Sequence, residues 1–461
     1  MARSSRRPRM DRVTTVWMLL ALAAAMVAIA TRNVLPQTWW TTIHLVTLGV
    51  LTNGIMQWSW FFARSLLRLP LQNKHAGRDS TVRSMAFNVA LVGLIASMWL
   101  AATYVVVAFA TVLGAVVAWH GLALVSAMRQ ALGSRFAPLL RFYVAAAGFF
   151  VIGCAIAGFL SVALTDPHAP TWLSDVQDGL ALAHVIVMGL GWIGLSIVGT
   201  LVTLGPTVMR TRMDDSAAPS AMRALPWLAG SVLASAAAIL AGSLMCAGAF
   251  LSVFAICLAM WIAAPLVRGA RRRGPREFPA WSMTFGLAWI GVGLVVLCVV
   301  LMASADAASA RNSAMAWIPL IGAGGFAQLF IGALSYLLPV VVGGGPSALR
   351  MGIWVIETYA PARLAVRNGA LVLLALTVGT GSPARWAWWL LVAGTFLTDI
   401  ALMGIAGARQ SRIKRATSDE LVVLVATPLM RPLGTPPGAP GADPTAIAPT
   451  ALAAANEDGA P

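Results

Sequence analysis

Three of the five histidines, His44, His120 and His184, fall within long apolar segments of the sequence. An ionisable side chain in such a segment is costly to bury, so it is the first pointer to function in a membrane protein. His44 and His184 share a pattern. Each lies near the same end of its segment, and each is followed five residues later by a glycine, Gly49 or Gly189. We therefore treat His44 and His184 as a matched pair of candidate ligands.

A matched pair of imidazoles suits two kinds of cofactor. Histidine nitrogens can take both axial positions of a haem iron, as in a b-type haem, and the glycines would leave room for the flat macrocycle. The alternative is a copper site, in which Met188, one turn after His184, is a soft third ligand. Each histidine could instead hydrogen-bond a backbone carbonyl across a helix interface. The residue types leave these three interpretations open.

Four other polar residues are also candidates for a functional role. His120 follows Trp119 at the other end of its segment, so we interpret it as an interfacial histidine. Asp399 lies midway along an apolar segment with no cation in that segment. It is therefore protonated, paired with a residue elsewhere, or part of a proton path. Arg311 and Arg385 are predicted at the outer side, where they could bind the propionates of a haem or serve as ordinary loop residues.

The composition sets the class of protein that must position these residues. Of 461 residues, 59% are hydrophobic and only 10% are charged, and the mean hydropathy is +0.81. This excludes a soluble enzyme and a disordered chain, and it indicates a polytopic membrane protein. The net charge of +16 does not indicate nucleic-acid binding, because the arginines lie in short loops between apolar segments. The four cysteines form no CxxC pair, and we interpret them as small buried hydrophobes.

Apolar stretches recur twelve times and predict an all-α membrane bundle of about twelve transmembrane helices. All but one are long enough to cross about 30 Å of hydrocarbon, the short one being 366–380. The predicted spans are 13–31, 38–62, 84–101, 104–127, 142–164, 178–205, 226–243, 246–267, 281–302, 314–342, 366–380 and 386–407.

The basic residues predict the orientation of the bundle. If the N-terminus is cytoplasmic, 28 of the 32 Lys and Arg residues lie in or beside the cytoplasmic loops, Arg431 lies further along the cytoplasmic tail, and only Arg32, Arg311 and Arg385 lie outside. The sequence thus predicts a cell (inner) membrane protein with both termini in the cytoplasm. The first span also resembles a cleavable signal peptide, but its apolar run is long for one, so we expect an uncleaved helix.

Three regions follow from this layout. Residues 1–12 form a basic cytoplasmic N-terminus, and residues 13–407 form the membrane domain. Residues 408–461 are predicted to be a cytoplasmic tail, largely disordered because it is rich in Pro, Ala and Gly.

Predicted helices 2, 6 and 10 form a weak internal repeat. The first two contain the histidine–glycine pattern, followed by a long apolar stretch and then by arginines at the end of the segment. The third has Ala327 at the histidine position, with Gln328 beside it and Gly332 at the glycine position. Because internal repeats often form ligand sites at their interface, we expect helices 2 and 6 to bring the histidines together.

Twelve helices with histidines in helices 2 and 6 resemble the catalytic subunit of haem–copper oxidases. More specifically, residues 184–213 and 325–350 resemble the membrane region of actinobacterial proteins described as copper oxidases, some of which carry a soluble nitrite-reductase-like domain. The oxidase pattern implies that His44 corresponds to a haem ligand and His184 to a copper ligand. However, predicted helices 7 and 10 contain no histidine, so the chain lacks the ligands for a complete oxygen-reducing centre.

The sequence therefore predicts a membrane redox protein with one b-type haem or copper near the outer face. It would exchange electrons with a soluble copper protein or another partner at that face, or take part in copper or nitric-oxide metabolism. It is not expected to be a complete oxidase on its own. Two alternatives remain: a transporter of a small solute or metal, and a membrane scaffold without a cofactor. A transporter would gather its polar groups at mid-membrane, around Asn53, Gln57, Gln328 and Asp399.

Overall fold

The computed structural model describes residues 12–67, 78–131, 134, 136–272 and 274–416. All regular secondary structure in these ranges is helical. Ten of the helices are long and apolar enough to cross a membrane. The chain is a multi-pass, all-α membrane protein, as the sequence predicted. The N-terminus before residue 12 and most of the predicted tail lie outside the described residues.

We number the helices along the chain. Several of them join an α-helical stretch to a π-helical one without a break. Their bounds are α1 Arg12–Ala30, α2 38–67, α3 Arg78–Trp99, α4 Thr103–Arg129, α5 Ala137–Thr165, α6 Gln177–Val208, α7 Ala217–Leu240, α8 244–272, α9 Phe278–Ala303, α10 Ala307–Val342, α11 Gly345–Ile356, α12 Ala360–Leu376 and α13 Ala384–Arg415.

Every predicted span overlaps one of these helices, but the boundaries differ. The ten spanning candidates do not include α2, which is rich in polar residues, or α12, which has 17 residues and contains two arginines. Helix α12 begins at Ala360, six residues before the predicted start. The prediction followed the apolar run and therefore left Arg363 outside the span. Helix α13 continues to Arg415, beyond the predicted boundary at 407, and α11 was not predicted.

Sequence neighbours pack side by side: α4 with α5, α7 with α8, and α9 with α10. The α9–α10 contact is close because it runs through glycines. A Cβ atom on Gly286 would lie 2.8 Å from the backbone nitrogen of Leu329, and one on Gly332 would lie 3.0 Å from that of Met283. Small residues let membrane helices approach to backbone contact, which explains this pairing.

The two ends of the bundle differ in their basic residues. We call the end that carries Arg64, Arg129, Arg210 and Arg268 the basic face. The end that carries Arg32, Arg311 and Arg385 is the opposite face. At the basic face, Asp214 accepts hydrogen bonds from the side chain and backbone of Ser216 and pairs with Arg268, which together lower its pKa to about 2.

Helices α2, α6 and α10 each contain a π-helical stretch: Leu45–Thr52, Val187–Gly194 and Ile321–Ala327. Helix α8 contains a fourth at Leu258–Ala263. The stretch in α2 begins directly after His44, and that in α6 begins three residues after His184. The three members of the predicted repeat thus share a backbone irregularity, which often occurs at functional sites.

The three repeat helices also meet in space. The Trp192 indole of α6 donates a hydrogen bond to Thr52 of α2, with 3.0 Å between Nε1 and Oγ1. Gly54 of α2 faces the Phe330 ring of α10, which would lie 2.6 Å from a Cβ at that position. These contacts join α2 to both α6 and α10 on the basic-face side of the histidines.

Candidate functional site

The structure brings His44 and His184 together. Their ring centroids are 6.4 Å apart, and the ring planes differ by 23°. Both side chains are half-buried. The two histidines come from α2 and α6, the pair of helices that the sequence repeat selected.

Each imidazole is oriented by a backbone carbonyl. The Nδ1 atom of His44 lies 2.8 Å from the carbonyl oxygen of Trp40, and that of His184 lies 3.0 Å from the carbonyl oxygen of Gly153 on α5. A carbonyl oxygen can only accept, so both Nδ1 atoms carry the proton and donate. The lone pair of each neutral ring is therefore on Nε2, which leaves Nε2 able to bind a metal.

Neighbouring side chains restrict both rings. The Trp40 indole stacks on the His44 imidazole with 4.1 Å between ring centroids. Beside His184, the Met188 sulfur packs so closely on Gly153 that a Cβ there would lie 2.3 Å from it. Met188 therefore contacts the residue whose carbonyl orients His184. The Met188 thioether therefore lies beside the backbone segment that orients His184.

The two repeat glycines have different surroundings. A Cβ on Gly49 would lie 2.4 Å from the Cβ of Ala21, so this glycine allows α1 and α2 to pack closely. A Cβ on Gly189 would meet no heavy atom within 4 Å. Only Gly189 therefore borders the open space that the sequence interpretation assigned to both glycines.

The predicted outer arginines have protein partners. Arg311 of α10 forms an ion pair with Asp178 of α6, with 3.1 Å between Nη1 and Oδ1, and both side chains are partly exposed. Arg385 donates through Nη1 to the carbonyl oxygen of Leu374 and the hydroxyl of Thr377, capping the end of α12. Each of these arginines thus ties together helix ends at the opposite face.

Asp399 pairs with cations of another helix, one of the alternatives that the sequence left open. Its two carboxylate oxygens accept hydrogen bonds from Arg363 and Arg367 of α12. All three side chains are buried. Arg363 also stacks on Phe278, and Arg367 stacks on Phe396. The basic-residue pattern assigned both arginines to the cytoplasmic side, although their i, i+4 spacing was a signal that they share a helix face.

Two other mid-membrane polar residues, Asn53 and Gln328, belong to separate clusters. Asn53 of α2 exchanges two amide hydrogen bonds with Asn88 of α3, each 2.9 Å. Gln328 of α10 donates to Asn368 of α12, which also accepts from the Trp289 indole. Each cluster joins neighbouring helices, as polar contacts between membrane helices do.

His120 lies in a different part of the bundle from the histidine pair. Its Nε2 atom is 2.9 Å from the Ser59 hydroxyl oxygen, and its side chain is buried. Around it, the Arg83 guanidinium lies between the Trp60 and Trp119 rings, 5.4 Å from each centroid. His120 therefore belongs to a polar cluster of α2, α3 and α4 toward the basic face.

Among the residues that the structure describes, no three His, Cys, Asp or Glu side chains come together as a metal-binding group. Any metal centre at the histidine pair would need ligands from another source, such as a macrocycle, or a low coordination number. No known protein family matches the chain, and no curated protein sequence matches it.

Proposed function

We propose that this protein is a membrane redox protein that holds a b-type haem between His44 and His184, near the opposite face. One observation carries the proposal: two imidazoles from separate helices face each other with both Nδ1 protons donated to backbone carbonyls, so that both Nε2 lone pairs remain for a metal. Such carbonyl support is the usual environment of a metal-binding histidine.

His44 and His184 would hold the haem iron through their two imidazoles, whose ring centroids are 6.4 Å apart. A haem would need only these two ligands from the protein. The open space beside Gly189 gives room for part of a flat ring system.

The chain's own residues would act on the cofactor through the imidazoles. The carbonyls of Trp40 and Gly153 fix the tautomer and increase the basicity of each Nε2, and the stacked Trp40 ring fixes the His44 plane. A bound haem supplies reversible one-electron chemistry. A redox partner, for example a soluble copper protein, would reach it from the opposite face, which we assign to the outside of the cell membrane.

A copper ion is the second candidate, and the position of Met188 favours it. The thioether lies against Gly153, whose carbonyl oxygen orients His184. A soft sulfur ligand together with imidazole suits Cu(I). The architecture that we propose for either cofactor is a bundle of twelve crossings similar to that of haem–copper oxidases, with cytoplasmic termini. The missing helix 7 and helix 10 histidines argue against a complete oxidase.

A reduced-minus-oxidised absorption spectrum, with iron and copper counted on the same purified sample, tests the proposal. We expect an alpha band and about one iron per chain. His44→Ala and His184→Ala should each abolish the band, and His120→Ala, a buried histidine outside the pair, should retain it. A band that survives either pair variant would refute the ligand assignment.

The other outcomes separate the alternatives. Copper without iron, lowered by Met188→Leu at equal amounts of folded protein, would assign the site to copper. Neither metal nor band would favour the transporter or scaffold alternatives. The buried polar clusters around Asn53 and Gln328 would then be the next residues to test for transport.

A further inference from the structure

A second polar site lies toward the basic face, where α2, α3 and α4 meet. Its centre is Arg83 of α3, which is 1% exposed. The guanidinium lies between the Trp60 ring of α2 and the Trp119 ring of α4. Neither of its two Nη atoms has a hydrogen-bond partner within the described ranges. A buried charged group with unused donors is costly, so this arrangement needs an explanation.

Two more unused donors lie on the same side of α2. Trp60 and Arg64 are one helical turn apart and therefore share a face of this α-helical stretch. The indole Nε1 of Trp60 and the Nε of Arg64 are both buried and, among described residues, without a hydrogen-bond partner. Arg64 itself is half-buried, so its guanidinium extends toward the surface. The unused groups of Arg64, Arg83 and Trp60 are all donors.

These unpartnered groups are all donors, and two of the three residues are cationic, so together they favour an anionic acceptor. Asp79 lies one turn from Arg83 on α3, and its negative charge acts on the Arg83 guanidinium. Asp79 also has a further interaction with another group. One carboxylate against two arginines leaves a net positive charge. A phosphate monoester or diester, with several acceptor oxygens and negative charge, matches arginine donors better than a neutral ligand does.

The location indicates where the phosphate comes from. Trp119 is 38% exposed, and Val82 and Met85, which flank Arg83 on α3, are 45% and 42% exposed. These apolar side chains belong to the surface that faces the bilayer. Tryptophan at the membrane boundary beside buried arginines is typical of a site for lipid headgroups, and basic pockets between transmembrane helices bind such headgroups.

We propose that Arg64 and Arg83 bind the phosphate of an acidic phospholipid from the cytoplasmic leaflet, with Trp60 donating through its indole. The half-buried Arg64 meets the headgroup first, and rotation of the partly exposed Trp119 admits it to Arg83. This inference does not depend on the cofactor proposal, because the site shares none of the residues that hold His44 and His184.

The experiment compares thermal unfolding of the full chain in nanodiscs of phosphatidylcholine alone and in nanodiscs that also contain phosphatidylglycerol. We expect the acidic lipid to raise the Tm of the native protein by about 2–4 °C. Arg83→Gln and Arg64→Gln should each abolish most of this gain. Arg129→Gln is the matched control, because Arg129 is an exposed arginine at the basic-face end of α4. It should keep the gain.

Each alternative has its own outcome. An equal gain from inorganic phosphate in phosphatidylcholine nanodiscs would show a free-anion site and overturn the lipid assignment. A full gain in Arg83→Gln and Arg64→Gln, or an equal loss in Arg129→Gln, would show non-specific surface charge and overturn the site. If Arg83→Gln does not fold, Arg64→Gln decides, since its half-buried side chain can be replaced without leaving a buried void. The haem band should not change in any of these variants.

Discussion

The Asp399 carboxylate shows how strongly one residue can be coupled to its surroundings. It is shared by Arg363 and Arg367, which also bond the carbonyls of Ile356 and Thr358 and the Thr395 hydroxyl. The cluster therefore ties α12 to α13 and to the turn after α11. Buried ion pairs of this kind recover their desolvation cost only while every partner is present. This makes a structural role for Asp399 sufficient without a proton path.

Removing the carboxylate should therefore be severe. Asp399→Asn leaves two buried arginines with no counter-charge, and we expect it to lower the free energy of unfolding by about 3–5 kcal/mol. Asp178→Asn breaks the partly exposed pair with Arg311 and should cost at most about 1 kcal/mol. Thermal or denaturant unfolding in the same detergent compares the two variants.

A charge-free replacement provides a further check on this cluster. Asp399→Leu combined with Arg363→Met and Arg367→Met should recover much of the loss, because apolar groups can fill the same volume without a desolvation cost. If Asp399→Asn were as mild as Asp178→Asn, the carboxylate would not be the counter-ion of the two arginines.

The sequence predicted some residue contacts and not others. It selected His44 and His184 because a shared spacing marks both, and the structure brings them together. The partners of Asp399 were not predicted, since arginines near a basic exit look like loop residues. The carbonyls that orient the histidines could not be predicted either. Any backbone oxygen can accept, and only the packing of α5 on α6 brings Gly153 to His184.

At the scale of elements, the π-helical stretches are the feature that sequence reading missed. The shared histidine–glycine spacing predicted α2, α6 and α10 as members of a repeat, but an apolar run looks the same whether its hydrogen bonds span four residues or five. The π-helical stretches are a backbone property that all three repeat helices share. Two of them, Leu45–Thr52 and Val187–Gly194, lie next to the histidines, and the third, Ile321–Ala327, lies in the third copy. A local change in helical twist is one way to turn a side chain toward the centre of a bundle.

Close packing of α9 on α10 depends on glycine, and two glycines of α9 give a matched test. A Cβ on Gly286 would lie within 3.0 Å of the Leu329 backbone, whereas a Cβ on Gly291 would meet nothing within 4 Å. We expect Gly286→Ala to destabilise the protein by about 1–3 kcal/mol, because a backbone cannot move aside as a flexible side chain can. Gly291→Ala should be neutral or stabilising by up to about 1 kcal/mol through helix propensity.

Unfolding temperatures of both glycine variants, measured in one lipid composition, check this prediction. Equal effects of the two alanines would mean that helix propensity and not the α9–α10 contact determines the outcome. The prediction belongs to the element and not to the site, so cofactor content per folded chain should not change in either variant.

At the scale of the whole molecule, composition and charge were sufficient to predict a polytopic helical protein. They could not predict α11, because its residues 345–356 continue an arginine-containing stretch that reads as loop. The number of membrane crossings follows less directly from the composition than the class of protein does. Within the described residues, ten helices meet the length and hydropathy of a span. Helix α2 is too polar, because it contains buried groups of the clusters described above, and α12 is too short, at 17 residues.

Labelling of single cysteines with a membrane-impermeant maleimide determines the crossings. The background replaces the four native cysteines, Cys154, Cys246, Cys257 and Cys298, which are free thiols. If α12 crosses, Thr380→Cys reacts from outside intact cells, whereas Arg350→Cys, before α12, reacts only after permeabilisation. If α2 crosses, Asn33→Cys and Leu100→Cys both react from outside, because α2 and the apolar α3 lie between them.

The excess of arginine at the basic face is the physical reason to expect this orientation, since basic loops are retained in the cytoplasm. Reaction of Thr380→Cys and Arg350→Cys from the same side would reduce the bundle to fewer crossings and would place the Arg367–Asp399 cluster in a helix that enters the membrane without spanning it.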